Sequence, residues 1–350
     1  MLRNLRKVLR RHGQPARQPA RRSLPMRPVL HALGLVLLLA GTVQPGPARA
    51  DDAFPDRPIR LVVVFAPGGG ADTTARLMAG PMGQFLGQPV LVENRPGAGG
   101  TQGGQVVAQA RPDGYTLMAD ASAFAVRHKL HARLGFDYER DFEPVARLSV
   151  MPLLLVVPPT EAAAGLAEYA AGLRALPVPP HYAVAGVGSA SHFAALYLLQ
   201  RLGLRAEAVP YRGGSQGAMA VVTNETLFNF ATTPSAVGLV QGGRLRAMAV
   251  SSEARMRVLP EVPTVAESGL PGFALTEWIG LHAPARTPAP VVARLAAAVR
   301  HALAVPELVA RLADVGAEPA LLEGPAFSGF VAEQRALLGR LAEAAGLRPE

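Results

Sequence analysis

The chain has no cysteine, one tryptophan and few aromatics of any kind, at 5% of its 350 residues. Without cysteine there is no disulfide framework, no thiolate metal site and no lipid anchor carried on a cysteine. A core is still available, because 49% of the chain is hydrophobic and its length suits about two domains. The first fifty residues lack acids altogether. They hold ten basic residues (Arg3, Arg6, Lys7, Arg10, Arg11, Arg17, Arg21, Arg22, Arg27 and Arg49), so of the net charge of +9 the stretch 51–350 carries −1. The basicity that would suggest a nucleic-acid partner belongs to this leader, and no such partner is expected.

A bilayer-spanning run is also missing. Val29 to Val43 is apolar apart from His31, Gly34, Gly41 and Thr42, which is short for a membrane span. Ala48-Arg49-Ala50 follows, with small residues at both key positions of a cleavage site. Residues 1–50 therefore read as a secretory signal peptide cut after Ala50, with an uncleaved anchor helix as the alternative. Arg21-Arg22-Ser23-Leu24 loosely matches a twin-arginine signal, and Met26 is an alternative start. The expected location is the periplasm.

What is present is a recurrent unit of strand, glycine turn and helix. Ile59–Phe65 is a β-branched, aromatic run that suits a buried strand. Pro67 ends it, and Gly68, Gly69 and Gly70 turn the backbone. Asp72, Thr73 and Thr74 are N-cap residue types ahead of a helix over 73–86, with Gly80-Pro81 as a place for a kink. Such a turn aims unpaired N–H groups at one spot, which suits an anion, and it serves equally as a ligand-free connection. Strands over 89–93 and 115–119 follow, with the glycine-rich loop Arg95–Gly104 between them. Alternating strands and helices imply parallel βαβ units.

Leu153–Val157, closed by Pro158-Pro159, marks a crossover into a second α/β unit. There Gly186-Val187-Gly188-Ser189 turns from a strand into a strong helix over 189–202, with Ser189 or Ser191 as N-cap. Further strands are expected over 206–211, 226–231 and 245–250, and helices over 215–222 and 234–241. After Pro260 an extended segment over 273–282, which holds Trp278, returns to the first unit. The remainder reads as helical over 290–303, 307–315 and 326–345, because the first sheet has too few helices of its own. The domain plan is 51–151 and 274–350 in one lobe and 152–273 in the other, with a cleft between. If both glycine turns face that cleft, two helix N-termini converge on one anion.

Other chemistries fail on their letters. Ser189 is followed by Ala190 and Ser191, so the Gly-x-Ser-x-Gly nucleophile elbow is absent. Neither turn has the lysine of a P-loop, and no third glycine completes a dinucleotide fingerprint. His128 and His131 lack a matching carboxylate motif for metal. His192 reads equally as a site donor or as a helix-start residue serving a local backbone group. No catalytic residue, metal or cofactor is expected.

The ordered series of motifs resembles the periplasmic substrate-binding receptors of tripartite tricarboxylate transporters, the Bug family. It comprises Phe54–Arg60 leading into Phe65-Ala66-Pro67-Gly68-Gly69-Gly70-Ala71-Asp72, Val92–Gly100, Pro112–Leu117, Asp141–Val145, Gly186–His192, Val209–Gly214 and Val262–Gly269. It covers nearly all of 54–346. The resemblance implies a two-lobed α/β Venus-flytrap fold, each lobe a mainly parallel sheet flanked by helices. It implies capture of a small carboxylate (a di- or tricarboxylate or related organic acid) and delivery to integral membrane permease subunits, without catalysis; the receptor is expected to be a monomer. A receptor feeding a sensor is the alternative. Carried over residue by residue, the grip on a carboxylate, partly through water, falls to Pro67, Gly68, Gly69, Gly70 and Asp72 in one lobe and Gly188, Ser189 and His192 in the other.

Two departures from the family pattern stand out. Ala119-Asp120-Ala121-Ser122 replaces small or hydroxyl residues at a strand mouth. Asp120 there reads as a cap on the next helix, or as a group that pairs with a ligand ammonium or excludes a third carboxylate. Ser122 is a candidate ligand donor beside it. Phe230-Ala231-Thr232-Thr233 replaces a usual acidic version, leaving the Thr232 hydroxyl as a ligand donor.

Overall fold

The computed structural model describes residues 54–131 and 134–347. The signal peptide and the alternative start expected above lie outside them. Ala50–Glu350 form one compact unit.

The first unit opens as the letters suggest: β1 (Ile59–Val63), α1 (Gly70–Leu86), β2 (Val90–Asn94), α2 (Thr101–Ala108) and β3 (Thr116–Ala121), with a single 3₁₀ turn at Ala98–Gly100. α1 runs through Pro81 without interruption. Proline there forfeits one backbone hydrogen bond, but Met78 and Met82, one turn apart, are fully buried and hold the helix on the sheet. A 3₁₀ turn at Ser122–Ala125 and the short α3 (Arg127–Leu130) lead to β4 (Phe142–Val157).

β4 is the main departure from expectation. It is one strand of 16 residues, and the run Leu153–Val157 singled out above is only its last part. Its first part pairs antiparallel with β9 (Thr276–Pro284) and β10 (Glu318–Glu323). Its end, Leu153–Val157, pairs antiparallel with β7 (Phe228–Thr232) and β8 (Arg246–Val250). A single backbone thus belongs to both lobes. The second lobe continues through α4 (Leu166–Arg174), β5 (His181–Val184), α5 (Ala190–Leu202), β6 (Glu207–Pro210), α6 (Gly214–Val222) and α7 (Thr233–Gln241). After β9 come α8 (Ala289–Leu303), α9 (Pro306–Asp314) and α10 (Gly324–Ala344).

The strand order is β2-β1-β3-β9-β4-β7-β5-β6, with β10 and β8 also paired to β4. β1 is parallel to β2 and β3, and β5 is parallel to β6 and β7. The crossover strands β4 and β9 are antiparallel to each other, and β9 is antiparallel to β3. Each lobe therefore has a parallel heart, and the antiparallel strands join the two.

The cores follow from side-chain alternation. In β4, Leu153, Leu155 and Val157 enter one cluster with Phe228 and Phe230, while Leu154 and Val156 enter another with Ala218 and Val237. Both faces of the second sheet are thus covered, as a parallel sheet requires. In the first lobe Leu295 and Val299 of α8, Leu312 of α9 and Phe327 of α10 share one cluster with Leu61 and Val63. The C-terminal helices cover the first sheet, and burying each such side chain contributes about 1.5–3 kcal/mol. Trp278 lies in this core, edge-on to Phe327 and Phe330.

Candidate functional site

The ends of β1 and β5 place the two expected glycine turns. At the first, Gly69 and not Asp72 is the N-cap of α1. Asp72 lies inside the first turn and reaches back, its Oδ2 accepting from the Gly68 N–H at 2.9 Å. Arg76 Nε donates to both Asp72 oxygens at 3.0 and 3.1 Å, and Asn94 Nδ2 donates to Oδ1 at 2.9 Å. Burial pushes the Asp72 pKa up, but Arg76, the Gly68 N–H and Asn94 outweigh it, and the carboxyl sits below its ordinary value. Asp72 is thus an ionised brace for the turn. The first bond of α1 runs from Thr73 N to Gly69 O at 2.9 Å, which leaves the Gly70 and Ala71 N–H groups at the open helix end.

At the second turn Ser189 is the N-cap of α5. Its Oγ accepts from His192 N at 3.3 Å and donates to Gly186 O at 2.8 Å. His192 Nδ1 accepts from the Gly188 N–H at 3.1 Å, so the ring serves a local amide. Burial pushes its pKa down to about 4, which makes it a neutral imidazole with the proton on Nε2. Gly188 has a positive φ of 76°, and a Cβ there would meet Leu130 Cδ1 at 2.0 Å. That turn is therefore closely packed on α3.

The first turn meets the Arg212-Gly213-Gly214 turn. Ala66 N donates to Arg212 O at 3.2 Å, and Ser215 Oγ donates to Pro67 O at 3.4 Å. A Cβ on Gly68 would lie 2.9 Å from Ser215 Oγ, and one on Gly70 would lie 3.4 Å from Thr232 Cβ. Thr232 Oγ1 shares a hydrogen bond with Ser235 Oγ at 2.8 Å. The starts of α1, α6 and α7 consequently converge, with Pro67, Gly68, Gly69, Gly70 and Thr232 among them. Gly188, Ser189 and His192 belong to the other turn, where Gly186 approaches Gly99.

That second contact borders a cavity of about 450 Å³. Phe65, Gly97–Gly100 and His131 line it from the first lobe, and Ala185, Gly186, Val187, Pro210, Tyr211 and Arg212 line it from the second. It lies at the C-terminal ends of β1, β2, β5 and β6, where ligands of parallel α/β sheets bind. A larger cavity, about 730 Å³, lies beside the crossovers at Val150–Pro152 and Ala274–Thr276. It touches none of the glycine turns, so its size does not make it the ligand site. Phe65, Tyr211 and Arg212 were not singled out from the sequence as ligand residues. Their signal was positional, since each follows or ends a parallel strand beside glycine.

Asp120 and Ser122 lie at the end of β3. Asp120 is fully buried and is gripped by Arg127, whose Nη1 binds Oδ2 and whose Nη2 donates to Oδ1 at 3.1 Å. Burial opposes the charge on Arg127, but Asp120 beside it holds the guanidinium protonated. The cap on the following 3₁₀ turn comes instead from Glu277, whose Oε1 accepts from Ser122 N at 2.9 Å and Trp278 N at 3.0 Å. Burial pushes the Glu277 carboxyl up to about 7 against the pull of those bonds. Arg127 also underlies the cavity wall, because a Cβ on Gly100 would lie 2.7 Å from its Nη2. The sequence reading of Asp120 missed this partner, seven residues downstream and fully buried.

Among the described residues no cluster of His, Asp and Glu could hold a metal, and no helix is long and apolar enough to cross a membrane.

Residues 74–347 match the model of the tripartite tricarboxylate transporter family receptors. The chain is 36% identical over 285 residues to a protein of a Pseudomonas species from a tcbD-tcbE intergenic region, covering 81% of this chain and 85% of that one. Among solved structures it is similar to the periplasmic binding protein BugD, at 32% identity and a TM-score of 0.80, over 85% of this chain and all of that one. It is similar also to MatC of Rhodopseudomonas palustris with bound malate, at 35% identity and a TM-score of 0.75, over 83% and 100% of the two chains.

Proposed function

The chain belongs to the tripartite tricarboxylate transporter receptor family, and from that premise we propose that it is an exported receptor that holds a small carboxylate between its lobes and delivers it to a membrane permease. The observation that carries this reading is the meeting of glycine turns from both lobes at the strand ends. Open helix starts and glycine backbone supply N–H donors there, and those favour a carboxylate over a cation. The malate held by MatC supports the same chemical class.

In this reading the lobes are 51–151 with 274–350, and 152–273, and residues 1–50 are the export signal. The grip lies with Gly69, Gly70 and the Ser215 and Thr232 hydroxyls. Asp72, Ser189 and His192 shape the turns from behind. A ligand that touches both lobes binds the closed arrangement better than the open one, which drives closure. No catalytic step is assigned.

The test is thermal unfolding of the purified protein against a panel of mono-, di- and tricarboxylates. A ligand at a hundredfold excess over its Kd stabilises the native state by about 2.7 kcal/mol. At least one carboxylate should raise the melting temperature in a saturable way, with neutral sugars and amines inert. A panel in which no carboxylate shifts the transition would overturn the reading.

A further inference from the structure

Among the described residues three acidic side chains are buried, Asp72, Asp120 and Glu277, and two of them have an arginine. Asp72 accepts from Arg76, and Asp120 accepts from Arg127. Glu277 has none. Its Oε1 accepts from the Ser122 N–H at 2.9 Å and the Trp278 N–H at 3.0 Å, and no arginine, lysine or histidine pairs with it among the described residues. Burial pushes this carboxyl up to about 7 against the pull of those bonds, and the charge of Asp120 pushes the same way.

The fold sets Glu277 beside the open end of α1. It lies opposite Met151 in the β4–β9 pair. Opposed residues of an antiparallel pair project from the same face, with their Cβ atoms about 4.5–5.5 Å apart. The Met151 side chain touches the start of α1, because a Cβ on Gly70 would lie 2.6 Å from its Sδ. One turn further on, Thr74 Oγ1 shares a hydrogen bond with Ser149 Oγ at 3.2 Å, so α1 lies along this face of β4. Glu277 is therefore one side chain away from Gly70, part of the grip assigned above.

The charged groups on the elements around it are spent or screened. Asp72 of α1 and Asp120 of β3 are held by their arginines. Arg147 of β4 donates to Ala320 O. His282, further along β9, is neutral, its pKa pushed down to about 3 by burial. On α8, Arg300 pairs with Glu323, while Arg294 and His301 sit against Phe85 at the far end of α1. Glu253, Arg255, Arg257 and Glu318 line the 730 Å³ cavity next to Met151, but all four are exposed and solvent screens them.

In the empty receptor the open end of α1 favours the charge on Glu277. A ligand carboxylate on those N–H groups takes up that field and adds a like charge, and both effects favour the protonated acid. We propose that capture of a carboxylate at the start of α1 draws a proton from solvent onto Glu277, so that ligand and proton are taken up together and released together. The proposal rests on the carboxylate-receptor reading above and adds its regulation.

Calorimetric titration of the purified protein with succinate, malate and adipate tests it. Run in two buffers of different ionisation enthalpy, the heat reports the protons taken up. A tenfold rise in the proton affinity of Glu277 on binding takes up about half a proton per ligand at about pH 7.5, and weakens binding about sixfold between about pH 6.5 and 8.5. Glu277→Gln keeps an acceptor for the two N–H groups and should bind with no proton uptake and no pH dependence. An infrared difference spectrum of the wild type should gain a protonated-carboxyl band on binding, absent from the variant. Binding of any of these acids without proton uptake would overturn the proposal and leave the carboxylate reading standing. Uptake that persists in Glu277→Gln would also overturn it, because the proton then goes elsewhere. Failure of all three acids to bind would contradict the proposal and the broader reading together.

Discussion

Single residues at this site divide into those that offer groups to a ligand and those whose groups are consumed by the fold. Asp72, Asp120, Ser189 and His192 are of the second kind. Each carries a polar atom near the cleft, and each spends it on a named internal partner. Glu277 is a fully buried carboxyl whose environment disfavours its charge. Its pKa is raised by burial to about 7 from an ordinary 4.5. Between those values the folded protein binds a proton that the unfolded chain has released, so stability falls as pH rises through that window. Its contribution is fully present below about pH 4.5 and is gone above about pH 7. Glu277→Gln keeps an oxygen for the Ser122 and Trp278 N–H groups and removes the titration. Urea unfolding between pH 5 and 7 should therefore show a less negative slope in the variant, by up to about 1.4 kcal/mol per pH unit. Parallel curves for the two proteins would show that Glu277 is ionised throughout.

Elements of the strand–glycine–helix kind were legible because their signals are local. Ser189 is the clearest case: an N-cap residue type after a glycine turn, bonded to the N–H three residues on. The same hydroxyl also closes the turn through Gly186 O. Ser189→Ala should cost about 1–2 kcal/mol, seen as a lower urea midpoint with an unchanged m-value. No loss would mean that the packing of Gly188 on Leu130 holds the turn by itself. β4 and β10 were not legible, for a physical reason. The first half of β4 contains Glu143, Pro144 and Arg147, and becomes a strand by pairing with β9 and β10, more than a hundred residues away in sequence. β10, Glu-Pro-Ala-Leu-Leu-Glu, has good helix formers and is extended because β4 offers it an edge. The site divides likewise. Local caps were readable, whereas the contact of the first glycine turn with Gly213 and Ser215 joins points far apart in the chain and needed the fold to be seen.

The molecule as a whole is two α/β lobes sharing one long strand, with the glycine turns of each brought against those of the other. Pairing of β4 with β9, which ends at Pro152 and Thr276, ties the two crossover strands together, and the turns meet through bonds such as Ala66 N to Arg212 O. Such an arrangement lets a ligand that supplies bridging contacts decide how tightly the lobes close. Amide hydrogen exchange, with and without the carboxylate that most raises the melting temperature, tests this most directly. Exchange should slow together in peptides covering Gly68–Gly70, Gly97–Gly100, Gly186–Gly188 and Gly213–Ser215, two turns from each lobe. Protection confined to one lobe, or appearing instead around the 730 Å³ cavity beside Val150–Pro152, would contradict capture between the lobes.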